Sequence, residues 1–318
     1  MTRAERVLAV MKGEPVDYVP AGFWFHYRSD YSVQEMIDAH MKLYRETGMD
    51  IIKIMQDYGY PISGTITCAE DWYHISVKGT DSEEFAKMAE IIRGIRKEAG
   101  DDVLIFQTMF GPFKAASMTF GDDVLMKYSK EAPEAVAAGV QRIADALEQW
   151  AKGYLEAGAD GIYYSAQFGE PGRFSEEEWS RLVKPSDFQI LNVADQMEGK
   201  YNILHICGEP EYEFHTCVDR FLSYPADLVN WSVKDNGYSL EKGRETFGKP
   251  ILGGMNNKGN ILHGPKEAIE AEVKEVLDAF GTTGIMVGAD CTIQGENIRL
   301  DYIKAAVDAA HHYSDRRS

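Results

Sequence analysis

The stretch PEAVAAGVQRIADALEQWAKGYLEAGADGIYYSAQ (133–167) decides the fold. Over 133–158 apolar residues recur three and four apart, Pro133 opens the run and Gly158 closes it, which predicts an amphipathic helix with defined ends. GIYYSAQ (161–167) follows at once. It is short, rich in β-branched and aromatic residues, and bounded by Asp and Gly, so it reads as a strand. A long helix feeding directly into a short strand is half of a βαβ unit.

Outward from there the same alternation fills the chain. Strand-like runs precede it at VPAGFWFH (19–26), DIIKIMQ (50–56) and VLIFQTM (103–109). Others follow at NILHIC (202–207), LVNWSV (228–233), PILGGM (250–255) and GIMVGADC (284–291). Helical patterning fills the gaps, most clearly in SVQEMIDAHMKLYRETG (32–48), SEEEWSRLVKPSDFQILNVADQM (175–197) and PKEAIEAEVKEVLDAF (265–280). Eight strands, each followed by a helix, predict an α/β protein built as a (β/α)8 TIM barrel, closed so that no sheet edge remains. An open doubly wound sheet competes, but it usually needs fewer strands, and no G-x-G-x-x-G or P-loop motif occurs here. There is no internal repeat and no low-complexity tract. The expectation is one domain over 1–318, with a short N-terminal helix and a long loop at about 57–79 folding over the barrel mouth.

Hydrophobic residues make up 44% and charged residues 26%, the balance of a folded chain and not of a disordered one. A net charge of −18 repels a nucleic-acid duplex and an anionic membrane surface, so neither is expected as a partner. No apolar run approaches the ~18 residues of a membrane span. MTRAERVLAVMKGEP (1–15) lacks the apolar core of a secretion signal. The four cysteines are Cys68, Cys207, Cys217 and Cys291. In a chain long enough to bury a core without staples they point to the cytoplasm and to free or metal-bound thiols.

Barrel chemistry gathers at the C-terminal ends of the strands. Those ends supply a polar and aromatic set with almost no basic residue. His26, Asp57, Tyr58, Tyr164, Gln167, Trp231 and Asn256 are the candidates for substrate contact. Tyr164 and Gln167 can orient a ligand by hydrogen bonds, and Asp57 can serve as acid or base. Phe23, Trp24, Tyr27, Tyr58, Phe110, Tyr164, Phe168 and Trp231 would form a wall suited to an apolar or aromatic molecule. The structural alternatives are loop-capping aspartates, tyrosines bonded to loop backbone, and aromatics that simply pack the barrel top.

His205 and Cys207 are separated by one residue at the end of a strand, so alternation turns both to one face. Cys291 ends the last strand and faces the same cavity. One imidazole and two thiolates form a soft set suited to Zn²⁺, with a fourth position for water or substrate. A closed structural site would more often show paired C-x-x-C motifs, which are absent. Against this, cysteine is often buried as a plain hydrophobe and His-x-Cys alone is a weak pattern. Cys68 and Cys217 lack such partners and read as ordinary core or loop thiols.

RVLAVMKGEPVDYVP (6–20), FGPFKAAS (110–117), LHICGEP (204–210), KPILGGMNNKGNILHGPKEAIEAEV (249–273) and GADCTIQGENIRLDYIKAAVDAA (288–310) together resemble segments of the uroporphyrinogen decarboxylase superfamily. Within it the chain is most similar to the zinc-dependent, corrinoid-linked methyltransferases of the methylcobalamin:coenzyme M type. The resemblance implies His205, Cys207 and Cys291 as zinc ligands. It also implies a methyl group moving between a small molecule (a methylated ether or amine, or a thiol) and a corrinoid carried by a separate corrinoid-binding protein. The chain has no D-x-H-x-x-G element to place a histidine under cobalt. The resemblance also allows a homodimer.

In cobalamin-independent methionine synthase, a more distant zinc methyltransferase, the sixth strand supplies a glutamate as fourth ligand. ADLVNWS places Ser232 near that position, and a neutral serine is a poor ligand. Water, substrate, Glu209 and Asp290 remain as candidates. The decarboxylases carry an arginine-rich segment for a polycarboxylate substrate, where FWFHYRSDY (23–31) offers only Arg28. A metal-free decarboxylase or lyase, or a non-catalytic relative that binds a small molecule, is therefore the alternative.

Overall fold

The structure, a computed structural model, describes residues 1–208, 215–295 and 297–313. All eight expected strands form: β1 (Ala21–Gly22), β2 (Ile51–Ile54), β3 (Leu104–Phe110), β4 (Gly161–Ala166), β5 (Tyr201–Ile206), β6 (Leu228–Trp231), β7 (Ile251–Met255) and β8 (Ile285–Ala289). Every neighbouring pair is parallel, in the order β1-β8-β7-β6-β5-β4-β3-β2. The ring closes between β1 and β2 through one residue. Asp50 donates its backbone N–H to the Ala21 carbonyl at 2.9 Å, and its Oδ2 accepts the Ala21 N–H at 2.9 Å. A carboxylate thus completes the ladder, held in turn by Arg6, Tyr18 and His311. The result is the (β/α)8 barrel.

Side chains alternate strictly about this ring. Ile51, Leu104, Phe106, Tyr163, Ile203, Leu228, Leu252 and Met286 point inward and pack as one cluster, plugged below by Val7 and Val10 of the N-terminal helix (Arg3–Met11). Gly22 leaves room for that layer: a Cβ there would lie 2.8 Å from both Ile51 and Met286. The opposite parity packs outward against the helices. Above the apolar layer the inward positions become Lys53, Thr108, Ser165, His205 and Asn230, and a cavity opens.

The helices end where their sequence signals lie. Ser32 and Glu35 form a reciprocal capping box ahead of Val33–Thr47, and Gly48 closes that helix in the left-handed conformation at φ 77°. The run 175–197, expected as one helix, is two, Glu176–Leu182 and Lys184–Asp195. Pro185 has no N–H to return to residue 181 and its ring would strike that carbonyl, so the helix breaks at Val183.

The 57–79 loop, expected over the mouth, contributes no residue to the cavity lining. It forms a small hairpin (Ile62–Ser63 with Ser76–Val77) and a 3₁₀ turn (Ala69–His74). Its buried Trp72 lies against Gly139 of the long helix Pro133–Glu156, where a Cβ would come within 2.9 Å of the indole. Among the described residues, no helix is long and apolar enough to cross a membrane.

Candidate metal centre

Parallel register sets Ser165, His205 and Asn230 side by side on β4, β5 and β6. Asn230 is fully buried and all its hydrogen-bonding capacity is committed. Its Nδ2 donates to the carbonyls of Leu252 at 2.7 Å and Ala289 at 3.0 Å. Its Oδ1 therefore faces the other way and can only accept, from Tyr163 Oη at 3.0 Å and His205 Nδ1 at 2.5 Å. This fixes the tautomer of His205. The proton sits on Nδ1, and Nε2 presents a lone pair to the cavity.

That Nε2 lies 3.4 Å from Cys291 Sγ. Cys207 completes the group, and the three donor atoms all lie within 4.8 Å of one another. Bonds of ~2.0–2.3 Å to a tetrahedral zinc put ligand atoms ~3.3–3.8 Å apart, so a small inward closure would suffice. Two sulfurs and a neutral imidazole, oriented from behind by a hydrogen-bond acceptor, fit a soft divalent cation.

The fourth-ligand candidates fare differently. Ser232 Oγ accepts from Asp235 N at 3.3 Å and donates to the Asp235 carboxylate at 3.1 Å, so it caps the short helix Val233–Asn236. Asp290 Oδ2 accepts from Lys234 N at 3.2 Å in the same turn. Burial pushes its carboxyl up to about 7. Asp290 does not belong to the His–Cys–Cys group. Glu209 lies outside the described residues.

The group opens onto a cavity of about 290 Å³, which His26 and Gln167 also line. His26 Nδ1 is 2.5 Å from Asp57 Oδ1, and Asp57 also accepts from Tyr27 N at 2.9 Å. Asp57 thus stands behind His26 and does not face the cavity. Tyr58 is turned aside, its hydroxyl bonded to the Tyr31 carbonyl at 2.6 Å.

Three expected contacts point elsewhere. Tyr164 lies on the outward parity of β4, and its hydroxyl donates to the buried Asp187 at 2.6 Å. Trp231 lies on the outward parity of β6, bonded through Nε1 to the Tyr238 carbonyl at 2.7 Å and stacked on Phe247. Asn256 lines a separate groove near Glu272, which accepts its backbone N–H at 2.8 Å. The aromatic wall is also corrected. Of the eight aromatics expected there only Phe110 lines the cavity, joined by Tyr163 and by polar Thr108, Ser165 and Gln294.

The sequence reading missed a buried cation. Lys53 of β2 reaches the cavity with Nζ 4.2 Å from the centre of the Tyr163 ring, which itself stacks on His205 at 5.7 Å. Its hydrogen-bond acceptor is the Met55 thioether at 2.9 Å. Burial pulls its ammonium down to about 7, opposed by Asp57 and Cys291. Lys114, in the first turn of the helix Pro112–Phe120, and Glu170 line the cavity too. Counting alternate residues back from Met55 and Gln167 would have flagged Lys53 and Ser165. The pairing of Asn230 with His205 needed the register.

Comparison with known proteins supplies the family. Methylcobamide:CoM methyltransferase MtaA from Methanosarcina barkeri (strain Fusaro / DSM 804) is 27% identical over 232 residues, covering 70% of this chain. The match spans 62% of that relative's own length. A methyltransferase from Methanosarcina mazei superposes with a TM-score of 0.77 over 98% of both chains at 21% identity. A B12-independent methionine synthase from Shewanella sp. W3-18-1 gives 0.61 at 11% identity, covering 92% of this chain and 95% of its own. At such identities the two structures speak for the barrel alone. Residues 47–313, every barrel strand after the first and all three donors of the centre, match the uroporphyrinogen decarboxylase (URO-D) family, and the chain belongs to that family.

Proposed function

We propose that this chain is a zinc-dependent methyltransferase that moves a methyl group between a small molecule and a corrinoid held by a separate protein. The observation that carries the reading is the His205 lone pair, locked by Asn230, converging with two cysteines at a cavity in the barrel mouth. The URO-D relatives named as methylcobamide:CoM methyltransferases support methyl transfer involving a corrinoid and a thiol. When bound at the three donors, zinc would supply Lewis acidity, lowering the pKa of a thiol or polarising the heteroatom of a methylated substrate.

The residues of the chain do the rest. Asn230 holds the imidazole in the ligating tautomer. Lys53 offers N–H donors to an acceptor group on the substrate, and Gln167 and Ser165 offer further polar contacts from β4. A small cavity with mixed walls suits a compact polar thiol or methylated amine better than an aryl ether. Among the described residues no arginine lines it, which disfavours a polycarboxylate substrate and with it the decarboxylase reading.

Metal analysis beside a methylcobalamin-to-thiol transfer assay tests the proposal. The purified protein is expected to hold one zinc per chain and to demethylate methylcobalamin when a small thiol is added. Cys207→Ser and Cys291→Ser are each expected to lose metal and activity together. Full zinc retention in both variants would defeat the assignment.

A further inference from the structure

We infer that His26, held by Asp57, is the base that takes the proton from an incoming thiol and passes it out of the barrel mouth to solvent. The inference rests on the methyl-transfer reading and adds the destination of the proton. A thiol must lose that proton before its sulfur can bind a metal or attack a methyl group as the thiolate.

Two loops build the pair across the β1–β2 seam. A parallel bridge between Phe25 and Ile293 carries the chain up from β1 beside the segment that follows Cys291. Ile293 N donates to the Trp24 carbonyl at 3.1 Å in the same stretch. His26 therefore lines the cavity together with Thr292 and Gln294. Asp57 lies just past β2. Its Oδ2 accepts the Tyr27 N–H at 2.9 Å, which leaves Oδ1 for His26 Nδ1 at 2.5 Å. A carboxylate can only accept, so the ring proton sits on Nδ1 and Nε2 carries the lone pair. A base oriented by a carboxylate behind it, with its other nitrogen open to the cavity, is the arrangement of a general-base site. The two histidines of the mouth differ in what stands behind them. His205 has a neutral amide, which suits a ligand, whereas His26 has an anion, which suits a ring that is to become a cation.

Apart from the three donors and Tyr163, the other titratable groups lining the cavity are Lys53, Lys114 and Glu170. Lys53 and Glu170 are buried, so a proton given to either stays inside the barrel. Lys114, as an ammonium, has no lone pair to accept one. His26 joins a lone pair on the cavity to a side chain that is 49% exposed, over an Asp57 side chain that is 5% exposed. In the step, the S–H bond breaks and sulfur keeps its electron pair. The proton forms an N–H bond at Nε2, Asp57 faces the imidazolium as its counter-charge, and the proton then leaves to water at the exposed edge of the ring.

The test follows the Co²⁺-loaded full-length protein in stopped flow, with no corrinoid present, as an added thiol changes the thiolate-to-cobalt absorption. His26→Ala is expected to slow 2-mercaptoethanol at least ~100-fold. It should spare trifluoroethanethiol, whose electron-withdrawing group leaves it largely ionised at a mildly alkaline pH. Added imidazole should restore the His26→Ala rate, because the vacated place opens to solvent. His26→Gln, which fills that place with an amide, should be as slow and resist the rescue. Asp57→Asn should slow 2-mercaptoethanol more than trifluoroethanethiol. Wild-type rates in both His26 variants, or equal slowing of both thiols without rescue, would overturn the inference and leave the zinc reading standing. A wild-type protein that takes up no Co²⁺ would sink both.

Discussion

Replacing Asn230 with leucine, a side chain of similar branched shape, isolates the role of the amide behind His205. Four buried groups lose their partner: His205 Nδ1, Tyr163 Oη and the carbonyls of Leu252 and Ala289. At ~1–3 kcal/mol for each unsatisfied group, the fold should lose about 4 kcal/mol or more. The metal centre should suffer separately. Without an acceptor at Nδ1 the imidazole is free to rotate and to protonate at Nε2, and loss of such a partner weakens zinc ~10–100-fold. Asn230→Asp divides the two effects. It keeps the acceptor for His205 and Tyr163 but turns its second oxygen on the Leu252 and Ala289 carbonyls with nothing to donate. It should therefore bind zinc near wild-type strength on a destabilised fold. The assay is chelator competition for the zinc Kd beside urea denaturation of the apo proteins. An Asn230→Leu variant that is folded and binds zinc as tightly as wild type would refute the reasoning.

Two further outcomes test the surrounding scaffold. Asp187, between the hydroxyls of Tyr164 at 2.6 Å and Tyr224 at 2.8 Å, is pushed by burial from 3.8 to about 7 despite both hydrogen bonds. The native state thus holds a proton that the unfolded chain releases above pH ~4, so this stabilisation is complete in acid and is lost as pH rises to about 7, by up to ~4 kcal/mol. Asp187→Asn should flatten that slope in urea melts across pH 4–8, and an unchanged slope would contradict it. Asp50→Ala should cost ~3–5 kcal/mol by opening the β1–β2 seam and leaving Arg6 short of a buried partner. Faster amide exchange at Ala21 should accompany the loss, and exchange unchanged from wild type would show that the seam does not depend on this carboxylate.

The barrel was legible because its signals are local. Short β-rich runs, helix periods and their Pro and Gly boundaries all lie within a few residues of one another, and only the break at Pro185 and the course of the 57–79 loop were missed. The convergence of the three donor side chains was legible for a related reason: His205 and Cys207 share a face by alternation alone. The cavity wall was harder, and two of its errors have one cause. Tyr164 and Trp231 are each one residue from an inward position, Tyr163 and Asn230, and a shift of one residue along a strand exchanges core for helix-facing side chain. Aromatic bulk drew attention to the wrong parity. Lys53 escaped because a lysine in an apolar strand reads as a solvated edge, whereas here the barrel closes around it.

Charge explains why an amide and not a carboxylate stands behind His205 in a chain with an excess of acid. With a divalent cation bound, two thiolates and a neutral imidazole would bring the sum to zero inside the barrel, where an uncompensated charge is expensive. An aspartate at position 230 would already make the set anionic before any substrate bound. With Asn230 the metal and its three protein ligands together would stay neutral, and one anionic partner could be added with a counter-charge at hand. That counter-charge is Lys53, whose ammonium lies against Tyr163 while Tyr163 stacks on His205. A lysine buried this deeply raises no stability by itself; burial already drags its pKa down to about 7. Its place at the cavity wall makes physical sense if the open position takes an anionic group of the substrate. Such a group would pair with the ammonium that Met55 alone now accepts from.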